Sequence, residues 1–258
     1  MKLGITQYAA CPAGTDGRKL LEQVAELGLA GVEPFFGTFD AEFLVWSAEQ
    51  VKQFVANAKE LNIAVPSTGY GAFNMDSCLV DKDGLDKAVK HTIHGLEHTA
   101  AMRGRVMLLC TFLQSHPDTP EKTANLLKVI DQVEPRACKL GVKIALETPL
   151  CAEELIELVE ATKSDQVGVY YDLGNAIALG FDPADEIERL GKHILEVHVK
   201  DSAHNVLGGL HLGQGNLDLS TSIAMLKKTN YDGWLIIETP LNSETYLLND
   251  IKTLRQLL

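Results

Sequence analysis

The chain has 258 residues, 46% of them hydrophobic and 22% charged, enough for one large core, and no linker, low-complexity tract or charge block marks a domain boundary. Its 23 basic and 35 acidic residues leave a net charge of −12, which repels phosphate backbones and anionic membranes over most of the surface and argues against nucleic acid or membrane as partner. The opening MKLGITQYAACPAG is a poor signal peptide, no apolar run reaches membrane length, and the five cysteines lack a C-x-x-C pair, so one domain over 1–258 in the reducing cytoplasm is expected, with structural thiols rather than a disulfide or zinc framework.

In chain order, LGITQY reads as a first strand and Asp16 to Leu27 as a first helix, with Leu20, Val24 and Leu27 on one face and Gly28 after it. GVEPFF is a second strand. Ser47 with Gln50 forms a capping-box start for a helix that places Val51, Phe54, Val55 and Ala58 on one stripe. IAVPST is a third strand, Asp83 to about Arg103 a long helix, and RVMLLCTF a fourth strand. Thr119-Pro120 then opens a helix with proline at its first position. Four further apolar runs, IALE, VGVYYD, ILEVHV and WLIIE, are short and rich in Val, Ile, Leu and Tyr, as buried parallel strands are. Helices at Ala152 to Thr162, at Pro183 to Leu190 behind Asp182, at Leu219 to Lys228 and at Glu244 to Leu258 alternate with them. Eight strand-helix pairs predict an α/β fold, a (β/α)₈ TIM barrel, over an open doubly wound sheet.

Each of the last four strands closes on a metal-competent side chain: Glu147, Asp172, His198 and Glu238. Barrel chemistry sits at the carboxyl ends of the strands, so the four converge on one opening. Any one of them alone is explained by a helix cap or a salt bridge; four in succession at a crowded rim need a compensating cation, because like charges repel. Three carboxylates and one imidazole form a hard donor set. One divalent metal ion is expected, Mn²⁺ first, with Mg²⁺, Co²⁺ or Zn²⁺ as alternatives.

The segments LETPLCAE (146–153), YDLGN (171–175), HVKDS (198–202), LGQGNLD (212–218) and IIETP (236–240) resemble the xylose-isomerase-like TIM-barrel superfamily of sugar and sugar-phosphate isomerases and epimerases, over nearly the whole chain. The resemblance implies metal binding by Glu147, Asp172, His198 and Glu238, and catalysis by Glu147 and Glu238 as the proton-transfer pair across the bound sugar. It also implies a substrate contact for Glu153, which as a lone residue in AEELIELVE reads equally as a solvated helix-start charge favoured by the dipole. Free-ketose epimerases of the family carry His at the position of Asn175 and Arg at that of His204, so these two are candidate substrate contacts that depart from the pattern. Lys200, two residues beyond His198, falls on the same barrel face if the strand is regular, where it neutralises a carboxylate or reaches an anionic substrate.

The expected chemistry is abstraction of a proton alpha to a carbonyl, with a divalent cation stabilising the ene-diolate and carboxylates moving the proton. Return to the opposite face of the same carbon epimerises; transfer to the neighbouring carbon isomerises, and the residues do not choose. The expected partner is a small sugar or sugar phosphate, with a homo-oligomer open, and His91, His94 and His98 on one helical face are read as an exposed or subunit-facing stripe over a metal site, having no acidic partner at ligand spacing. The glycine-rich LGGLHLGQGN is read as a turn or a phosphate cradle, Glu33 as a group contacting substrate or orienting His198, and Phe35, Phe36, Trp46, Phe73 and Phe112 as pocket walls or packing. Two rivals share the frame. An inosose-dehydratase-like lyase differs in what leaves after enolisation, and an AP-endonuclease-like nuclease needs further ligands where this chain has STGY, Asn175 and VLGGLHLG.

Overall fold

The computed structural model describes residues 1–36 and 46–258. Eight strands form one parallel sheet: β1 (Lys2–Thr6), β2 (Gly31–Glu33), β3 (Ser67–Tyr70), β4 (Val106–Cys110), β5 (Lys143–Glu147), β6 (Val167–Asp172), β7 (Ile194–Val199) and β8 (Trp234–Ile237). They run in the order β2-β1-β8-β7-β6-β5-β4-β3, and parallel bridges Gly31–Ala64 and Phe35–Gly69 bring the two outer strands together, closing a TIM barrel.

The helices are α1 (Gln7–Ala10), α2 (Gly17–Glu26), α3 (Ala48–Glu60), α4 (Leu85–Ala101), α5 (Pro120–Leu140), α6 (Ala152–Ala161), α7 (Leu173–Leu179), α8 (Pro183–Leu190), α9 (Leu219–Lys228) and α10 (Glu244–Leu257). Among the described residues, no helix is long and apolar enough to cross a membrane. The caps read from sequence are present. Gln50 N donates to Ser47 Oγ while Ser47 N donates to Gln50 Oε1, and Asp182 and Thr119 accept from Ala184 N and Lys122 N.

Two short helices, α1 and α7, were not expected, because one or two turns carry too little periodicity to register. The third strand begins at Ser67 rather than Ile63: Pro66 has no N–H to give the ladder, and its carbonyl accepts from Arg105 N at 3.0 Å instead. The core has two parts. A large apolar shell lies between helices and strands, and a small cluster of Val106, Leu108, Cys110, Ala145, Tyr170 and Ile236 fills the barrel's interior.

One irregularity positions the site. The β6–β7 ladder pairs Val169 with Ile194 but Tyr170 with Glu196, a one-residue shift, and beyond it Asp172 stands opposite His198. Without that shift Asp172 would face Val197, and a one-residue slip turns every side chain to the other face.

Candidate metal centre and active site

Glu147, Asp172, His198 and Glu238 meet at the carboxyl end of the barrel, with one ligand atom from each within 4.8 Å of the others. Each is delivered differently. Glu147 ends β5, and its Oε1 accepts from Asn175 Nδ2 at 3.1 Å while Oε2 faces the Cys110 thiol at 3.5 Å. Asp172 ends β6 and caps α7, its Oδ1 accepting from Gly174 N and Asn175 N at 2.8 and 3.0 Å, which leaves Oδ2 turned into the site. Glu238 follows β8, where its N still bonds Val199 O; its Oε1 accepts from the Tyr8 hydroxyl of α1.

His198 is fully buried. Its Nε2 lies 3.0 Å from Glu33 Oε1, and Glu33 Oε2 in turn accepts from Ser67 Oγ at 2.6 Å and Tyr170 OH at 2.8 Å. Glu33 therefore orients the imidazole. The other nitrogen, Nδ1, is 3.2, 3.6 and 3.9 Å from Glu238 Oε2, Glu147 Oε1 and Asp172 Oδ2, yet has no hydrogen-bond partner. One nitrogen tied to a carboxylate and the other buried, unpartnered and facing three carboxylates is the disposition of a metal-ligating histidine. The residues fit a divalent cation.

Lys200 completes the cluster. Its Nζ bridges Asp172 Oδ2 and Glu238 Oε2 at 2.5 Å each. Burial pushes the Asp172 carboxyl up to about 8; Lys200 opposes this, and the Glu238 and Glu147 charges add to it. Burial would raise Glu238 too, but His198 and Lys200 outweigh it and hold that carboxyl well below the usual range. The two carboxylates share one ammonium, and Glu238 Oε2 lies 3.2 Å and Asp172 Oδ2 3.9 Å from the imidazole Nδ1. His198 stays well above its ordinary value, Glu238 and Glu33 overcoming its burial. Negative charge is in excess, which favours a bound cation or a proton.

Of the remaining expected contacts, Asn175 and Lys200 lie in the cluster. Glu153 does not. It sits exposed on the first turn of α6, paired with Arg189 of α8. His204 is exposed as well: its Nδ1 lies 3.3 Å from Ile177 O and its N donates to Asn216 Oδ1, placing it in a cleft with Asp182 and Asp218. The histidine stripe of α4 is not uniformly exposed either. His98 is buried, its Nδ1 3.2 Å from Tyr70 OH and its ring 5.0 Å from Phe36.

The glycine-rich loop is a turn built on Asp201. This buried carboxylate accepts from Ser202 N, Gly213 N, Gly215 N and Leu217 N at 2.8 to 3.0 Å, so amides that would cradle a phosphate are committed to it. Phe36 and Phe73 are core, Trp46 packs on Phe54 at 4.7 Å, Phe35 meets Tyr8 edge to face at 5.0 Å, and Phe112 shares a small cavity with Glu147, Asp172 and Asn175. Tyr8, Cys110 and the buried Glu196 were missed. Tyr8 and Cys110 each stand at or just past a strand end, as the quartet does, and Glu196 precedes His198 by the strand period.

The chain resembles known proteins in the same direction. It is 26% identical over 250 residues to an L-ribulose-5-phosphate 3-epimerase of Salmonella paratyphi C, covering 92% of this chain and 86% of that protein. It is 33% identical over 104 residues to an inosose dehydratase of Geobacillus kaustophilus, but that stretch is only 34% of each protein. Among solved structures, a xylose isomerase domain protein from Planctomyces limnophilus superposes with a TM-score of 0.82 at 18% identity, over 99% of this chain and 96% of that one. A D-allulose 3-epimerase from Methylomonas sp. does so with a TM-score of 0.80 at 16% identity, over 100% and 98%, and at such identities both likenesses speak to fold alone. The sequence profile of the xylose isomerase-like TIM barrel matches residues 21–257, and with the eight-stranded barrel and its strand-end quartet it shows that the chain belongs to that family.

Proposed function

We propose that this protein is a metal-dependent isomerase or epimerase of a sugar or sugar phosphate, with Glu147 and Glu238 as its proton-transfer groups. One observation carries the reading. Strands β5 and β8 run into the same tetrapeptide, Glu-Thr-Pro-Leu at 147–150 and 238–241, so the barrel presents two like carboxylates from different strands into one cluster. The epimerase aligned over 92% of the chain supports the reaction class.

A divalent ion held by Glu147, Asp172, His198 and Glu238, with Mn²⁺ the ion of first choice, supplies Lewis-acid stabilisation of the oxyanion that forms on enolisation. The side chains do the rest. Glu33 fixes the His198 ring, Asn175 holds the Glu147 oxygen that faces His198, Tyr8 holds the outer oxygen of Glu238, and Phe112 walls the cavity beside Glu147. One glutamate takes the proton alpha to the sugar carbonyl and the other returns it; opposite faces of one carbon give epimerisation. Asn175 and Lys200 are the substrate-side polar groups of this reading.

The test is proton NMR of solvent deuterium entering ketoses, aldoses, their phosphates and inososes, with Mn²⁺ restored after chelation. Metal-dependent exchange and a new epimer or isomer are expected. Metal-dependent loss of water from an inosose without epimerisation would favour the lyase reading, for which the dehydratase stretch speaks, and nicking of abasic DNA without sugar exchange would favour a nuclease.

A further inference from the structure

Lys200 is held where a surface lysine would not be. It is 7% exposed, and its stem runs through a channel walled by two glycines. A Cβ on Gly174 would stand 2.5 Å from Lys200 Cγ, and one on Gly209 3.4 Å from Cδ. Gly174 lies in the first turn of α7 and Gly209 in the loop after β7, so two separate elements leave space for this one side chain. The channel delivers the ammonium onto Asp172 Oδ2 and Glu238 Oε2, oxygens of two quartet ligands.

An ammonium and a divalent ion compete for those two oxygens, since two positive charges a few ångströms apart in a site this buried repel. The carboxylates, for their part, repel one another unless a cation or a proton sits between them. We propose that Lys200 is a resident counter-cation: it holds Asp172 and Glu238 in place in the metal-free protein, and its ammonium withdraws from both oxygens when the metal binds. Lys200 thereby weakens metal affinity and keeps the metal-free site assembled. The inference rests on the quartet being a metal site, as read above.

The experiment is calorimetric titration of chelated protein with Mn²⁺, for wild type, Lys200→Met and Asp172→Asn, alongside thermal melts with and without the ion. The methionine variant is expected to bind Mn²⁺ at least tenfold more tightly than wild type, to melt several degrees lower when metal-free, and to gain more from Mn²⁺ saturation. Equal or weaker binding by Lys200→Met, with a melting loss that is the same with and without metal, would make Lys200 a merely structural residue and overturn the proposal. No Mn²⁺ binding by wild type would instead sink the metal-site reading itself. If Lys200→Met does not fold, the wild type still decides. The ¹⁵N resonance of the Lys200 ammonium, slow to exchange while paired, should shift or vanish at saturating Mg²⁺, and an unchanged resonance would overturn the proposal.

Discussion

The ends of β5 and β8 carry the same four residues, Glu-Thr-Pro-Leu, yet the structure treats their glutamates differently. Glu147 is held by neutral partners, the Asn175 amide and the Cys110 thiol. Glu238 is held by the Tyr8 hydroxyl and the Lys200 ammonium, with His198 closer to it than to Glu147. Identical local sequence places two carboxylates alike; the neighbours, brought in from β1's helix, β4, α7 and β7, set what each carboxylate can do. On the cationic side, His198 and Lys200 outweigh burial and hold the Glu238 carboxyl well below the usual range.

The largest effect that would sharpen this contrast is removal of each carboxylate in turn. Glu147→Gln and Glu238→Gln should each slow deuterium exchange next to the sugar carbonyl by about 10²–10⁴-fold, the range for a positioned acid or base. Substrate binding should survive. If the two act from opposite faces, each variant should block exchange from one epimer more than from the other, and equal losses from both would remove the division of labour. Wild-type exchange in both variants would end the proton-transfer role.

Metal affinity comes next. Asp172→Asn removes a charged hard ligand while the amide oxygen can still cap α7, so Mn²⁺ affinity should fall further than in Glu33→Gln, where loss of the His198 orienter is expected to cost about 10–100-fold. Calorimetry showing the reverse order would mean that Asp172 is chiefly a cap.

A smaller effect compares the two supports directly. Asn175→Ala and Tyr8→Phe each delete one hydrogen bond to a carboxylate, about 1.5–3 kcal/mol, so turnover should drop roughly 10–100-fold with KM changed less. A loss confined to KM would remove the role of both in supporting the glutamates.

The smallest effect lies outside the pair and serves as a control for pH. His98, buried against Phe36 and Tyr70, has its imidazole pushed down to about 4, chiefly by burial. The unfolded chain, titrating near 6.5, binds that proton more readily, so stability is full above about 6.5 and declines as pH falls toward about 4. A His98→Gln variant should lose this part of the acid sensitivity, at most a few kcal/mol by urea melts at pH 7 and 4.5. An unchanged slope between the two would refute the assignment.

Much of the architecture was legible because buried parallel strands are short apolar runs and their helices carry caps; Ser47, Thr119 and Asp182 work as caps where the sequence places them. The quartet was legible for a related reason. A carboxylate or imidazole closing an apolar strand has few structural uses at a barrel rim, and four in a row leave fewer. Residues just past a strand end were harder. Glu153 and His204 sit at motif spacings, yet their helix and loop turn them outward to Arg189 and Ile177, a choice that depends on packing partners far along the chain.

The sequence by itself determined the barrel, the order of its elements and the identity of the four converging side chains, since local periodicity and strand-end chemistry are properties of short stretches. Only the tertiary structure decided the facing and partnering of those groups. The one-residue shift between β6 and β7 puts His198 opposite Asp172, Glu33 from another strand orients its ring, and Gly174 and Gly209 make room for Lys200. Each of these depends on contacts between distant segments, and register and close approach exist only once the barrel has closed.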